Sequence, residues 1–150
     1  MRDIGEASLH FHMEYQRFPI PSGPDTMMRS EGVLILALQG LNELANPRKI
    51  CFIDLPFTKE GCGGLIDQSG GSSDPPRPEE WTLLDFWGEL YYITLDTNDD
   101  GEVPNPEASA DPVWLANHPQ PATLKTHSII FSSGPDRDPE TWDDNICSWR

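Results

Sequence analysis

Apolar residues near the start of the chain recur at steps of three and four positions, the spacing of one face of an α-helix. This stripe consists of Ile4, Ala7, Phe11, Tyr15 and Phe18. It predicts a helix over residues 3–18 that ends at Pro19 and Pro21, because proline cannot continue a helix. The helix begins almost at residue 1 without an obvious capping side chain. We therefore expect residues 1–18 to be the end of a longer N-terminal helix.

A second helical pattern covers residues 29–45 and stops at Asn46-Pro47. Its apolar face consists of Leu34, Ala37, Leu38, Leu41 and Leu44. Two later segments, 90–95 (LYYITL) and 127–131 (HSIIF), are rich in β-branched and aromatic residues and predict strands. Residues 56–80 and 103–126 are rich in turn-forming residues, and we interpret them as long irregular loops.

Helices come first along the chain and strands follow, an order typical of α+β folds. We expect a single domain over residues 1–150, with the N-terminal helix packed on a small antiparallel β-sheet and residues 90–150 supplying the sheet. A chain of 150 residues is long enough to bury a core.

The formal net charge is −15, from 25 acidic and 10 basic residues. Such a chain is repelled by phosphate backbones, so we expect no nucleic acid partner. The excess of carboxylates either serves solubility or is partly neutralised by a hard cation such as Ca²⁺. Cys51, Cys62 and Cys147 cannot all pair with one another, and the sequence leaves their disulfide state open.

Motifs of catalysis are missing from the sequence: there is no nucleophile elbow, no Walker A loop and no dinucleotide-binding glycine motif. His10 and His12 are two positions apart on the predicted helix and therefore face apart. His118 and His127 belong to no recognisable motif. We predict that the protein is not an enzyme.

The first of two acidic loops follows the predicted strand at 90–95. Asp96, Asn98 and Asp100 occupy positions 1, 3 and 5 of a twelve-residue calcium-loop pattern, Gly101 is the sixth and Glu107 the twelfth. Such side chains supply the oxygen ligands that Ca²⁺ requires. A strand, rather than a helix, precedes the loop, so the alternative is a polar hairpin turn that uses Asn and Asp at its bends.

The second acidic loop is residues 132–150. Asp136 and Asp143 are seven residues apart on a segment that must fold back, so their carboxylates can converge. Converging carboxylates repel each other unless a cation lies between them. The alternative is a solvated acidic turn anchored by Ile146 and Trp149.

Several segments resemble the major pseudopilins of type II secretion systems and related prepilin-type proteins. They are residues 14–19 (EYQRFP), 46–52 (NPRKICF), 84–96 (LDFWGELYYITLD), 130–136 (IFSSGPD) and 143–149 (DDNICSW). Residues 14–19 resemble the family's E-Y-G-x-Y-P, residues 46–52 a segment found in some members, and residues 84–96 the D-P-W-G-N-P-Y motif. Residues 130–136 resemble the S-x-G-x-D-G turn, and residues 143–149 resemble D-x-D-I with a closing tryptophan. The similarity covers about half of the chain and omits the predicted loops 56–80 and 103–126.

The resemblance implies a long N-terminal helix on a small antiparallel sheet and a C-terminal loop that binds Ca²⁺. Matched by position, the calcium ligands are Asp136, Asp143, Ser133 through its carbonyl, the neighbouring Ser132, and Asn145 for the second Asp of D-x-D-I. Asn145 removes one negative charge from that set. Arg137 replaces a glycine at a turn that needs a positive φ, and Phe86 and Glu89 replace the proline and asparagine of the D-P-W-G-N motif.

The resemblance further implies a structural subunit of a pseudopilus or related type IV pilus-like filament. Its partners are other copies of itself and other pilin-like subunits. An N-terminal helix upstream of residue 1 anchors such a protein in the inner membrane, with the head in the periplasm. The alternative is a stand-alone secreted module that binds a glycan or protein in a calcium-dependent manner, using the Asp96–Glu107 loop.

Overall fold

A computed structural model describes residues 1–68 and 81–150. Its helices are α1 (Arg2–Tyr15), α2 (Gly32–Leu38), a 3₁₀ helix (Pro106–Ser109) and α3 (Pro112–Asn117). Its strands are β1 (Met28–Arg29), β2 (Gly64–Asp67), β3 (Trp81–Leu84), β4 (Tyr92–Leu95), β5 (Val103–Pro104), β6 (Thr123–Leu124), β7 (Ser128–Ser132) and β8 (Ile146–Cys147). The helices and antiparallel sheets confirm the α+β fold.

The first helix buries the predicted apolar stripe but ends three residues early. Gln16 adopts a left-handed conformation, with φ 52°, and its N–H donates to the carbonyl of His12 at 2.7 Å. A left-handed residue at this point closes a helix by satisfying its last carbonyls. The chain then turns back, so Phe18 lies beyond the helix and is still buried in the core. The stripe was thus predicted correctly, and the end of the helix was not.

The second helix is much shorter than the predicted span 29–45. Each residue from Leu34 to Leu38 is buried, so the helix lies inside the core rather than on its surface. Gly40 follows it with φ +78°, and a Cβ at this position would lie 2.8 Å from the carbonyl oxygen of Lys49. Leu41 and Leu44 are 47% and 95% exposed, so they do not extend the apolar face as predicted. The close approach at Gly40 ends the helix where the apolar pattern alone continues.

The central sheet has four antiparallel strands in the order β1-β4-β7-β8. Its middle strands, β4 and β7, correspond to the two predicted strands, with Ile93 opposite Ile130. Helix α1 packs against β7, and Gly5 permits the close approach, since a Cβ there would meet Ser128 Oγ at 3.2 Å. The helix-on-sheet arrangement predicted for the N-terminal segment is confirmed.

The two predicted loops contain regular structure. The segment 56–80 contains β2, which pairs with β3 directly after that segment; residues 69–80 lie outside the described part. Within 103–126, β5 pairs with β6, and the 3₁₀ helix and α3 lie between these strands. The prediction of irregular structure was wrong for 103–126, because Pro106 and Pro112 occupy first-turn helix positions, where proline is favoured. In the described ranges no helix combines the length and apolar character needed to cross a bilayer.

Candidate functional site

A buried carboxylate joins the turn after β3 to the end of β7. Asp85 is 1% exposed, and its Oδ1 accepts the N–H groups of Trp87 at 2.9 Å and Glu89 at 2.8 Å. The hydroxyl of Ser132 donates to Asp85 Oδ2. Gly88, with φ +85°, allows the turn to wrap around the carboxylate. Asp85 therefore holds the Trp-Gly turn and the C-terminal strand together.

A buried amide plays a similar part among the N-terminal segments. Asn46 is fully buried, and its Oδ1 accepts the hydroxyl of Tyr15 at 2.6 Å and the N–H of Ile50 at 3.1 Å. Its Nδ2 donates to the carbonyls of Ala37 at 2.8 Å and Ile50 at 2.7 Å. One side chain thus connects the end of α1, helix α2 and the segment that follows.

The C-terminal acidic loop brings Asp136 together with Asp144. The hydroxyl of Thr141 lies 2.5 Å from Asp136 Oδ2 and 3.4 Å from Asp144 Oδ1, and the N–H of Asp136 donates to Asp144 Oδ2 at 3.3 Å. The hydrogen bond from Thr141, with a second from the N–H of Asp138, lowers the pKa of Asp136 below its usual value. Arg137 does adopt the positive φ that the family's glycine would, at 63°.

Asp143, the second ligand implied by the resemblance, contacts α3 instead. Its Oδ1 accepts the indole N–H of Trp114, on α3, at 2.9 Å. The structure therefore pairs Asp136 with Asp144, the next residue along, and not with Asp143. Trp114 belongs to the segment expected to be irregular. The sequence pattern therefore did not show that Asp143 contacts Trp114 and that Asp144 is the carboxylate near Asp136.

The remaining residues of the implied calcium set are buried. Ser132 donates its hydroxyl to Asp85, and Ser133 is 1% exposed. Asn145 is 6% exposed, and its Nδ2 donates to the carbonyl of Pro139 at 3.1 Å. Its side-chain oxygen, Oδ1, is buried and accepts no hydrogen bond from the residues that the structure describes. An unpaired buried oxygen is unfavourable and is compensated when a donor or a cation reaches it.

In the other acidic loop, Asp96 has its own hydrogen-bond partners. It is fully buried; Oδ1 accepts the N–H of Asp100 at 3.0 Å, and Oδ2 accepts the N–H of Gly101 at 2.9 Å. The side chain of Asn98 donates to Asp100 Oδ2 at 2.9 Å and accepts the N–H of Asp100 at 3.0 Å. These are the bonds of an Asx-type turn, the alternative considered for this loop.

Glu107, the twelfth position of the calcium-loop pattern, lies elsewhere. It is 1% exposed, and its Oε1 accepts the indole N–H of Trp149 at 3.1 Å and the guanidinium of Arg150 at 2.9 Å. The acidic groups that the described residues form at Asp96 do not include Glu107. After the Asp96 turn the chain continues through Pro104 in β5 and Pro106 in the 3₁₀ helix. Glu107 ties that 3₁₀ helix to the C-terminus instead.

An additional carboxylate completes a different group at this loop. One oxygen from each of Asp25, Asp96 and Asp100 lies within 4.8 Å of the other two. Asp25 comes from the loop before β1, and its Oδ1 accepts the N–H of Thr97 at 2.7 Å.

Sequence reasoning missed Asp25, Asp144 and Thr141 as members of the acidic clusters. Only the adjacency of Asp144 to Asp143 hinted at any of them. Comparisons of the chain with protein-family models, with curated proteins and with solved structures give no match.

Proposed function

We propose that this chain is the head of a structural subunit of a type II secretion pseudopilus or a related type IV pilus-like filament. The observation that carries the proposal is that segments resembling pseudopilins, although distant in sequence, meet in pairs through one partly buried and one buried hydrogen bond. Tyr15 binds Asn46, and Asp85 binds Ser132. Motif residues that contact one another in the core are expected when a family's fold, and not chance, accounts for them.

The arrangement of α1 agrees with this role. It lies on the sheet with one face buried, whereas Leu9 and Met13 are 40% and 65% exposed on its outer face. In a filament, such heads contact other copies of the chain and other pilin-like subunits by repeated heterologous contacts, which generate an open fibre. The head would be periplasmic, attached to the inner membrane through a helix upstream of residue 1.

Calcium would occupy the C-terminal loop in this proposal. Asp136 and Asp144 share the hydroxyl of Thr141, and two carboxylates this close are stabilised by a cation. The Oδ1 of Asn145, which has no hydrogen-bond partner among the described residues, would supply a further oxygen from the same segment. Ca²⁺ takes about six to eight oxygen ligands, so backbone carbonyls and water would complete the set. An ion that binds only the folded state orders the loop and stabilises the head.

The calcium site is tested by thermal unfolding in Ca²⁺ and in a chelator, using Asp136→Asn, Asp144→Asn and the control Asp143→Asn. Free Ca²⁺ at about 100 times its Kd raises the free energy of unfolding by about 2.7 kcal/mol. For a chain of this size that raises Tm by roughly 5–10 °C. We expect the shift in the native protein and in Asp143→Asn, and its loss in the other two. A shift lost in Asp143→Asn and kept in Asp144→Asn would restore the ligand set implied by the family; no shift at all would remove calcium from the proposal.

The filament role is tested at the gene. We expect the coding sequence upstream of residue 1 to encode an apolar helix preceded by a prepilin cleavage site. We also expect the full-length product, expressed with its prepilin peptidase and partner subunits, to form filaments visible by electron microscopy. A secretory signal peptide in place of that helix would instead support the stand-alone calcium-dependent binding module.

A further inference from the structure

Two histidines and two aspartates from separate elements meet where α1 approaches the end of β4. His12 comes from α1, Asp96 follows β4, Asp99 lies in the turn before β5, and His127 precedes β7. His12 Nε2 lies 3.6 Å from Asp99 Oδ1, and His127 Nδ1 lies 2.8 Å from Asp96 Oδ2. The two imidazole rings are nearly parallel, at 15°, with centroids 6.5 Å apart.

We propose that His12, Asp99 and His127 bind a borderline divalent cation of the Zn²⁺ type, with Asp96 positioning His127. One ligand atom from each of Asp96, Asp99 and His127 lies within 4.8 Å of the other two. His12 is outside that group of three and reaches the site through Asp99, with its Nε2 3.6 Å from Asp99 Oδ1. Imidazole nitrogen is a preferred ligand of Zn²⁺, Cu²⁺ and Ni²⁺, whereas Ca²⁺ takes oxygen. The site is thus different in chemistry from the proposed calcium loop and independent of the proposed function.

Asp96 acts as the orienting carboxylate of this site. It is fully buried, and its two oxygens already accept two backbone N–H groups. The Nδ1–H of His127 donates to the same carboxylate, which leaves the Nε2 lone pair of His127 directed away from Asp96. A carboxylate behind a histidine fixes the tautomer and ring orientation of metal-binding histidines in just this way.

Binding of the ion requires the ligand side chains to move towards one another. Zn–N and Zn–O distances of about 2.0–2.2 Å place tetrahedral ligands about 3.3 Å apart. His12 Nε2 and Asp99 Oδ1 are already 3.6 Å apart, whereas Asp99 and His127, whose ligand atoms lie within 4.8 Å, approach each other by up to about 1.5 Å. The side chains of Asp99 and His127 are 68% and 51% exposed, so both can rotate towards the ion. Water supplies the fourth ligand. The bound ion would link the C-terminal half of α1 to the sheet.

The test is titration of the purified protein with Zn²⁺, followed by calorimetry and by thermal unfolding. Variants His12→Gln, His127→Gln and Asp99→Asn remove one ligand each, and His10→Gln is the matched control because His10 is exposed on another face of α1. We expect native affinity in His10→Gln and at least about a 10-fold rise in Kd in the other three. Equal affinity in all four variants would overturn the proposal.

The Asp99→Asn variant distinguishes loss of a metal ligand from loss of folding as the cause of weaker Zn²⁺ binding. Asp99 is exposed and has φ 59°, a conformation that asparagine tolerates well, so this variant keeps the fold. Binding of Co²⁺ then identifies the ligand atoms. We expect a visible d–d spectrum without a thiolate charge-transfer band; such a band, removed in Cys51→Ser, would assign the metal to the exposed cysteine and overturn the site.

Discussion

Replacing Asn46 by alanine should reveal how strongly the buried amide holds the N-terminal half of the fold together. The substitution removes four hydrogen bonds, to Tyr15, to Ala37 and two to Ile50. Each contributes about 0.5–1.5 kcal/mol net, and the residue is fully buried, so water cannot replace them. We expect the free energy of unfolding to fall by about 3–4 kcal/mol, a large share of the roughly 5–15 kcal/mol typical of a domain.

Urea unfolding followed by circular dichroism measures this change as a lower midpoint at unchanged m-value. Asn117→Ala is the control: Asn117 is exposed and makes one bond, to the carbonyl of Val113, so its loss should change stability by less than about 0.5 kcal/mol. Tyr15→Phe should destabilise the native protein by about 1 kcal/mol and the Asn46→Ala variant by much less. A loss below about 1.5 kcal/mol for Asn46→Ala would refute the reasoning.

Two further predictions concern the C-terminal segment. Burial, outweighing the opposing effect of Arg150, raises the pKa of Cys147 to about 12. The stabilisation that comes from the buried, protonated Cys147 thiol is therefore complete below the unfolded pKa near 9 and is lost as pH rises towards 12. A thiol reagent at pH 8 should label exposed Cys51 well before Cys147. Gly134→Ala should destabilise by more than about 3 kcal/mol, because its Cβ would lie 2.5 Å from a backbone oxygen. Gly101→Ala, with φ +82° and open space, should destabilise by only about 1–2 kcal/mol; equal losses on denaturant unfolding would contradict the steric argument.

Apolar spacing predicted the parts of the fold that depend on local pattern. The buried positions of α1 follow from a period of 3.6 residues, and the two central strands follow from their β-branched and aromatic composition; the structure confirms both. The end of α2 did not follow, because Leu41 and Leu44 continue the apolar pattern whereas the turn at Gly40 is set by the backbone of Lys49. That contact is tertiary and leaves no periodic signal in the sequence.

The acidic clusters were likewise predictable from local sequence only in part. Composition identified both acidic loops, but which carboxylates converge depends on partners distant in the chain. Trp114 accounts for the position of Asp143, and Arg150 for that of Glu107. Asp25 joins Asp96 from a loop about seventy residues earlier. Spacing within one loop contains no information about such partners, so the local motif at Asp96 gave no sign that Glu107 bonds to Trp149 and Arg150.

The short outer strands of the central sheet bear on how copies of this protein meet. Strands β1 and β8, at its two edges, have only two residues each, whereas the paired strands β4 and β7 lie between them. A long exposed edge offers unpaired backbone groups to another chain and promotes aggregation. Here few such groups are available at either edge. At high local concentration, association through this sheet would therefore rely on side-chain surfaces, and uncontrolled strand-to-strand growth into amyloid-like aggregates is disfavoured.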